Sequence, residues 1–170
     1  YLRLMSLGME LTWYDIWMPC TRNIPPLLAD QFAVGYFRNF LNNSIEFSIE
    51  GYYKNLTNAA DFEDGLHNYL VDNLEAYVAT GNGIAYGMEA SLEKKQGKFQ
   101  GRLVYSLGKT EYLIDVINQG RPYSNMFDKT HDFTMMLSYE LFKNLTVSST
   151  FIYQTGRPVT LPESYYYVGG

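Results

Sequence analysis

The sequence has one cysteine, Cys20, and two histidines, His67 and His131. A single thiol excludes an intrachain disulfide and any thiolate-based metal cluster. No window approaches the ~18 consecutive apolar residues that a membrane-spanning helix needs, so a helical membrane protein is excluded. Basic residues are also scarce: 13 Lys and Arg stand against 18 Asp and Glu, for a net charge of -5. Binding to a nucleic-acid backbone depends on clustered Lys and Arg neutralising phosphates, and this balance argues against it. At Tyr1 there is no initiator Met, basic n-region or apolar h-region; either a signal peptide has been removed or the segment is internal.

Aromatic residues are abundant. Of the 170 residues, 46% are hydrophobic and 16% aromatic, with 16 Tyr and 10 Phe, yet the mean hydropathy is slightly polar at -0.22. The apolar surface is interleaved with polar residues in strict period-two alternation, which marks a strand with two unlike faces. From Ser44, one face reads Ile45, Phe47, Ile49, Gly51, Tyr53 and the other Glu46, Ser48, Glu50, Tyr52, Lys54. The pattern returns over Tyr86–Glu93, Phe99–Leu107, Phe133–Leu141 and Leu145–Gln154. Gln31 to Tyr36 forms a sixth, weaker strand, and Leu2 to Leu11 is a loosely held seventh. A slip of one residue would carry Glu onto the apolar face, so the alternation also fixes register.

The connections alternate in length. Leu41-Asn42-Asn43, Gln96-Gly97 and Phe142-Lys143-Asn144 suit tight hairpins, whereas Thr12–Leu28, Thr57–Ile84 and Glu111–Lys129 are long. All short turns therefore fall at one end of the strands and all long loops at the other. The expected fold is all-β: an antiparallel up-and-down meander of six to seven strands over residues 1–170. It forms part of a transmembrane β-barrel with short periplasmic turns and long extracellular loops. Tyr36, Tyr53, Tyr86, Phe99 and Tyr153 are expected near strand ends on the apolar side, at the level of lipid headgroups.

Little in the sequence points to chemistry. Gly81-Asn82-Gly83 with Gly87 lacks the spacing and the following helix of a phosphate loop, and is read as loop glycines. His131 between Asp128 and Asp132 could pair with a carboxylate, but no third ligand or nucleophile lies at a telling spacing. Glu46, Glu50, Glu89, Glu93 and Arg102 share the polar face, which suits a hydrated barrel interior better than a glycosidase pair. No catalytic residue, metal ligand or cofactor is expected.

Several stretches resemble TonB-dependent outer-membrane receptors, particularly those of Bacteroidota. They are Asp15-Ile16-Trp17-Met18-Pro19, Ala29 to Tyr36, Ile49-Glu50-Gly51-Tyr52-Tyr53-Lys54, Ala85-Tyr86-Gly87-Met88-Glu89, Glu93 to Lys98, Gly101 to Ser106, Phe127 to Asp132 and Tyr153 to Pro162. Lys129 departs from the Arg usual in the family. The resemblance implies a large barrel of some twenty-two strands, plugged by an N-terminal domain absent here. It implies TonB-energised import of a scarce nutrient such as a metal chelate, vitamin, oligosaccharide or peptide, and no enzyme activity. Expected partners are outer-membrane lipid, the remaining barrel and plug, the TonB complex and a surface lipoprotein. Substrate contact is expected at loop Tyr69, Tyr77 and Tyr123 and at lumenal Glu89, Glu93 and Arg102. The alternatives are a soluble all-β ligand- or carbohydrate-binding module and, last, a hydrolase using the lumenal carboxylates.

Overall fold

The computed structural model describes residues 2–5, 16–64, 66, 71–126 and 128–158. The strands are β1 (Leu2–Met5), β2 (Ile16–Pro19), β3 (Leu28–Phe40), β4 (Ile45–Phe62), β5 (Val78–Lys94), β6 (Phe99–Leu113), β7 (Tyr123–Ser124), β8 (His131–Phe142) and β9 (Leu145–Gln154). Helix is confined to single 3₁₀ turns at Leu74–Tyr77 and Asn118–Gly120. β3, β4, β5, β6, β8 and β9 form one antiparallel sheet in that order, with β7 added beside β6; β1 pairs with β2 in a separate two-stranded sheet. The all-β antiparallel meander expected from alternation is the observed one. The sheet is not closed: β3 and β9 each have one neighbour.

The strands run further than the alternation suggested. β4 continues to Phe62 and β5 begins at Val78, so the expected Thr57–Ile84 loop shrinks to the residues between them. Two consequences correct the sequence reading. Gly81-Asn82-Gly83 lies inside β5, not in a loop, and a Cβ at Gly83 would come within 2.9 Å of the Glu111 carbonyl oxygen on the neighbouring strand. Tyr36, Tyr53 and Tyr86 fall within their strands instead of near the ends, because β3 reaches Phe40, β4 reaches Phe62 and β5 begins at Val78. The seventh strand is present over Leu2–Met5 but belongs to the small sheet, and its partner β2 lies in a stretch read as loop; residues 6–11 lie outside the described residues.

The short turns have local causes. Leu41, Asn42 and Asn43 all adopt left-handed backbone with φ of 49, 53 and 63°, a conformation asparagine tolerates through its own short polar side chain. Gly97 has φ 91°, and the Lys94 ammonium donates to the carbonyls of Gln96 and Phe99, closing the β5–β6 turn. A bulge between Glu140 and Phe142 precedes the β8–β9 turn.

Register sorts the faces over the whole sheet. One ladder of directly opposed residues reads Tyr36, Ile49, Ala90, Tyr105, Phe133, Tyr153 from β3 to β9, and another on the same face reads Val34, Gly51, Met88, Leu107, His131. The opposite face reads Gly35, Glu50, Glu89, Ser106, Asp132, Gln154, then Phe37, Ser48, Ser91, Val104, Thr134, Ile152, and then Asn39, Glu46, Glu93, Arg102, Met136, Thr150. Among the described residues nothing covers the apolar face between the short turns and the level of Tyr53, where Phe32, Val34, Tyr53, Phe151 and Tyr153 are all about half exposed or more; its continuation at Ala60, Phe62 and Val78 is covered by Met5, Met18 and Ile24.

The buried clusters sit instead at the long-loop end. Met5, Met18 and Ile24 pack against Ala60 and Phe62 of β4. Ala79 packs with Ile114 and Ile117 beside Tyr112 and Tyr123. These residues seal the upper ends of β4, β5 and β6, where the strands outrun their neighbours.

Candidate functional site

Two groups of polar residues stand out, one at the long-loop end and one on the polar face. At the long-loop end, a pair of loops is tied together by side chains far apart in sequence. Thr21 Oγ1 and Asn23 Nδ2 donate to Glu75 Oε1 at 2.7 and 3.0 Å. The Asn118 backbone N–H donates to Asp64 Oδ2 at 3.0 Å. The Tyr123 hydroxyl donates to Asp61 Oδ2 at 3.1 Å, and its ring meets Tyr112 edge-on with centroids 6.2 Å apart. β7 holds Tyr123 there, since Tyr112 and Tyr123 are directly opposed. Burial, followed by the charge and hydrogen bond of Asp61, pushes the Tyr123 phenol well above its ordinary value of 10.0. Tyr123 is therefore a neutral donor tying β7 to the upper end of β4, with little of its ring free to stack on a ligand.

The other expected loop aromatics fare differently. Tyr77 is 41% exposed at the end of the first 3₁₀ turn, with its carbonyl accepting from the Glu63 N–H. Its ring is available at the surface. Tyr69 and His67 lie outside the described residues.

On the polar face, Glu89 stands directly opposite Glu50 on one side and Ser106 on the other, with Asp132 next along the row. Glu93 stands between Glu46 and Arg102. The three expected lumenal residues are thus brought onto one face, but they do not form one constellation. Neither of the two ion pairs among the described residues, Lys95–Glu46 and Lys109–Glu111, includes Glu93 or Arg102. The hydrogen bond from Lys95 to Glu46 keeps the Lys95 ammonium above its usual range. Near the short turns, then, two acids and two bases balance, whereas the row Glu50, Glu89, Asp132 has no base opposite it. Like charges in direct cross-strand opposition are unfavourable unless solvated.

Tyr52 was not singled out from the sequence, yet it organises this face. Its phenol lies over Gly87 and Gly108: a Cβ added at those glycines would come 2.7 and 3.2 Å from the Tyr52 hydroxyl. The Lys54 ammonium stands 5.3 Å from the ring centroid. The readable signal was two glycines in adjacent strands that cross at one level, visible once Gly87 and Gly108 are known to be partners. At the same level, on the apolar side of the sheet, lies a hollow of about 530 Å³ lined by Tyr53, Tyr86, Met88, Leu107 and Lys109 among others.

His131 does not pair with a carboxylate. Its Nδ1 is 2.8 Å from the Tyr105 hydroxyl, while Asp128 accepts from the Thr110 N–H at 2.9 Å and Asp132 accepts from Gln154 Nε2 at 2.6 Å. The side chains of Asp128, Lys129, His131 and Asp132 thus serve the junction between loop and strand. No group of three His, Cys, Asp or Glu side chains among the described residues could hold a metal ion.

Fold and polar groups together define an antiparallel β-meander sheet with one apolar and one acidic face. Compared with protein-family models, curated proteins and solved structures, the chain matches none.

Proposed function

We propose that these strands are part of an outer-membrane β-barrel, with the apolar face against lipid and the polar face toward a hydrated lumen. The observation that carries this reading is the apolar face itself, uncovered between the short turns and the level of Tyr53 and in one register there across six strands. In water it would be an exposed patch far larger than the few hundred Å² that monomers commonly show.

The dimensions fit. From Ile45 to Tyr53 and from Lys94 back to Tyr86 is eight residues, about 26 Å at roughly 3.3 Å per residue. With strands tilted by ~35–45° that spans about 20 Å of membrane, near the ~25 Å apolar band of such barrels.

The open edges at β3 and β9 would leave backbone groups unsatisfied in lipid, so further strands complete the wall. From the resemblance to TonB-dependent receptors we infer that the completed barrel imports a scarce nutrient and performs no covalent chemistry. On this reading its long-loop end faces outward, with Tyr77 among the residues that meet the ligand. Its partners are then lipid, the remaining barrel and plug, and through the plug the TonB complex.

The test is fractionation of the full gene product. It should stay in the membrane pellet after carbonate and urea washes, and migrate as a compact species in detergent until boiled. A folded, monodisperse protein in detergent-free buffer would refute the reading, because a second layer would then have to cover the apolar face, as in a soluble binding module.

A further inference from the structure

The short-turn rim of the sheet is richer in cations than the rest of this acidic chain. It carries Arg38, Lys94, Lys95, Lys98, Arg102 and Lys143 against Glu46, Glu93 and Glu140. Three of these cations are engaged or face away from the apolar side. Lys94 is spent on the turn carbonyls, and Lys95 is paired with Glu46. Arg102 lies on the polar face opposite Glu93.

Arg38 differs. It lies on the apolar face, directly opposite Phe47, between Tyr36 and Phe40. Its Nη1 donates to the Tyr36 hydroxyl at 3.4 Å, and its guanidinium carbon stands 5.0 Å from the Phe40 ring centroid. Neither ion pair among the described residues includes it. On β3, an open edge of this sheet, Tyr36 and Phe40, 50% and 39% accessible, hold the guanidinium in place, and neither ring carries a charge to neutralise it.

We propose that Arg38, with Tyr36 and Phe40, binds the phosphate of a glycerophospholipid at the short-turn rim, an inference that rests on the membrane reading above. A guanidinium offers five donors in a rigid fork that matches tetrahedral phosphate, and one is engaged here. The Tyr36 hydroxyl accepts from Arg38, so its own proton is free to donate to a second phosphate oxygen. Arg38 lies two residues inward of Phe40, so its long side chain can reach the headgroup level while its stem stays against apolar surface. The neighbouring Phe40 and Phe47 rings offer apolar surface to the glycerol backbone and first acyl carbons. Excess basic charge on the rim favours lipids of net negative charge.

The probe is spin-labelled phosphatidylglycerol against spin-labelled phosphatidylcholine, read as the relative association of motionally restricted lipid with the full gene product in phosphatidylcholine vesicles. Wild type is expected to prefer phosphatidylglycerol roughly fivefold, the effect of one well-placed basic residue. Arg38→Gln should bring the ratio near one. Arg38→Lys keeps the charge that sets the ratio but not the fork that grips the phosphate both lipids carry, so it should keep most of the preference while fewer lipids are motionally restricted; an unchanged number of restricted lipids in Arg38→Lys would overturn the site. Lys143→Gln removes a rim charge outside the tyrosine and phenylalanine clasp. A loss there equal to that of Arg38→Gln would mean diffuse attraction and would also overturn the proposal. Inorganic phosphate should not abolish the preference; if it does, the site takes free anion instead of lipid. An absence of motionally restricted lipid in every variant would refute the membrane reading itself, whereas restricted lipid with a ratio untouched by Arg38→Gln refutes this inference alone.

Discussion

Ala90 lies at the middle of the apolar band, with Ile49 and Tyr105 directly opposite it. Ser106 lies on the other face, between Glu89 and Asp132. Introducing arginine at each position separates a lipid-facing sheet from a wetted one. On a surface in contact with hydrocarbon, Ala90→Arg places a guanidinium near the bilayer midplane and should destabilise by about 2–4 kcal/mol. That is a roughly thirty- to nearly thousand-fold change in the folding equilibrium at about 1.4 kcal/mol per decade. Ser106→Arg sets a cation between two carboxylates and should be neutral or stabilise by about 0.2–1 kcal/mol. The assay is reversible unfolding of the full gene product in phosphatidylcholine vesicles, with the denaturant midpoint and slope read for each variant. Were the apolar face merely exposed to water, Ala90→Arg would fall within about 0.5 kcal/mol of wild type. Equal midpoints for the two variants would refute the assignment of faces to lipid and lumen.

Further expectations follow from particular contacts. Gly87→Ala drives a Cβ into the Leu107 carbonyl oxygen and toward the Tyr52 hydroxyl, so it should lower the midpoint by about 1–3 kcal/mol. Gly51→Ala, whose Cβ would meet one backbone atom at 3.8 Å, should be nearly neutral in the same titration. Tyr123→Phe removes the hydrogen bond to Asp61 and should loosen the long-loop end by roughly 0.5–1.5 kcal/mol, read as faster proteolytic nicking with the barrel intact. The pH dependence has a definite sign. The folded phenol is held above 10.0, so its contribution is constant below the unfolded value and is lost as pH rises past it toward the folded one. Nicking of wild type should therefore accelerate above pH 10.0, and the Tyr123→Phe variant should lack that component; an identical alkaline rise in both would refute the role given to the phenol.

Period-two alternation made the principal strands, their facing and their antiparallel pairing legible in the sequence. A face of Ile45, Phe47 and Ile49 opposed to Glu46, Ser48 and Glu50 admits one side toward water and one away from it, whatever else the chain does. The short turns were equally local, since Asn42, Asn43 and Gly97 answer to backbone conformation within a few residues. What required the tertiary structure was everything that depends on which residues meet across strands. The extension of β4 and β5 through Phe62 and Val78 is held by the clusters around Ile24 and Ile114, partners that no local pattern names. Tyr123 looked like a loop ligand and proved to be a tie to Asp61, because β7 returns it to β6. Glu93 and Arg102, expected on one face, are directly opposed without an ion pair, while the uncompensated row of Glu50, Glu89 and Asp132 emerged from register alone. Alternation is a property of one strand, and charge balance, burial and the clasp around Arg38 are properties of side chains brought together by the fold.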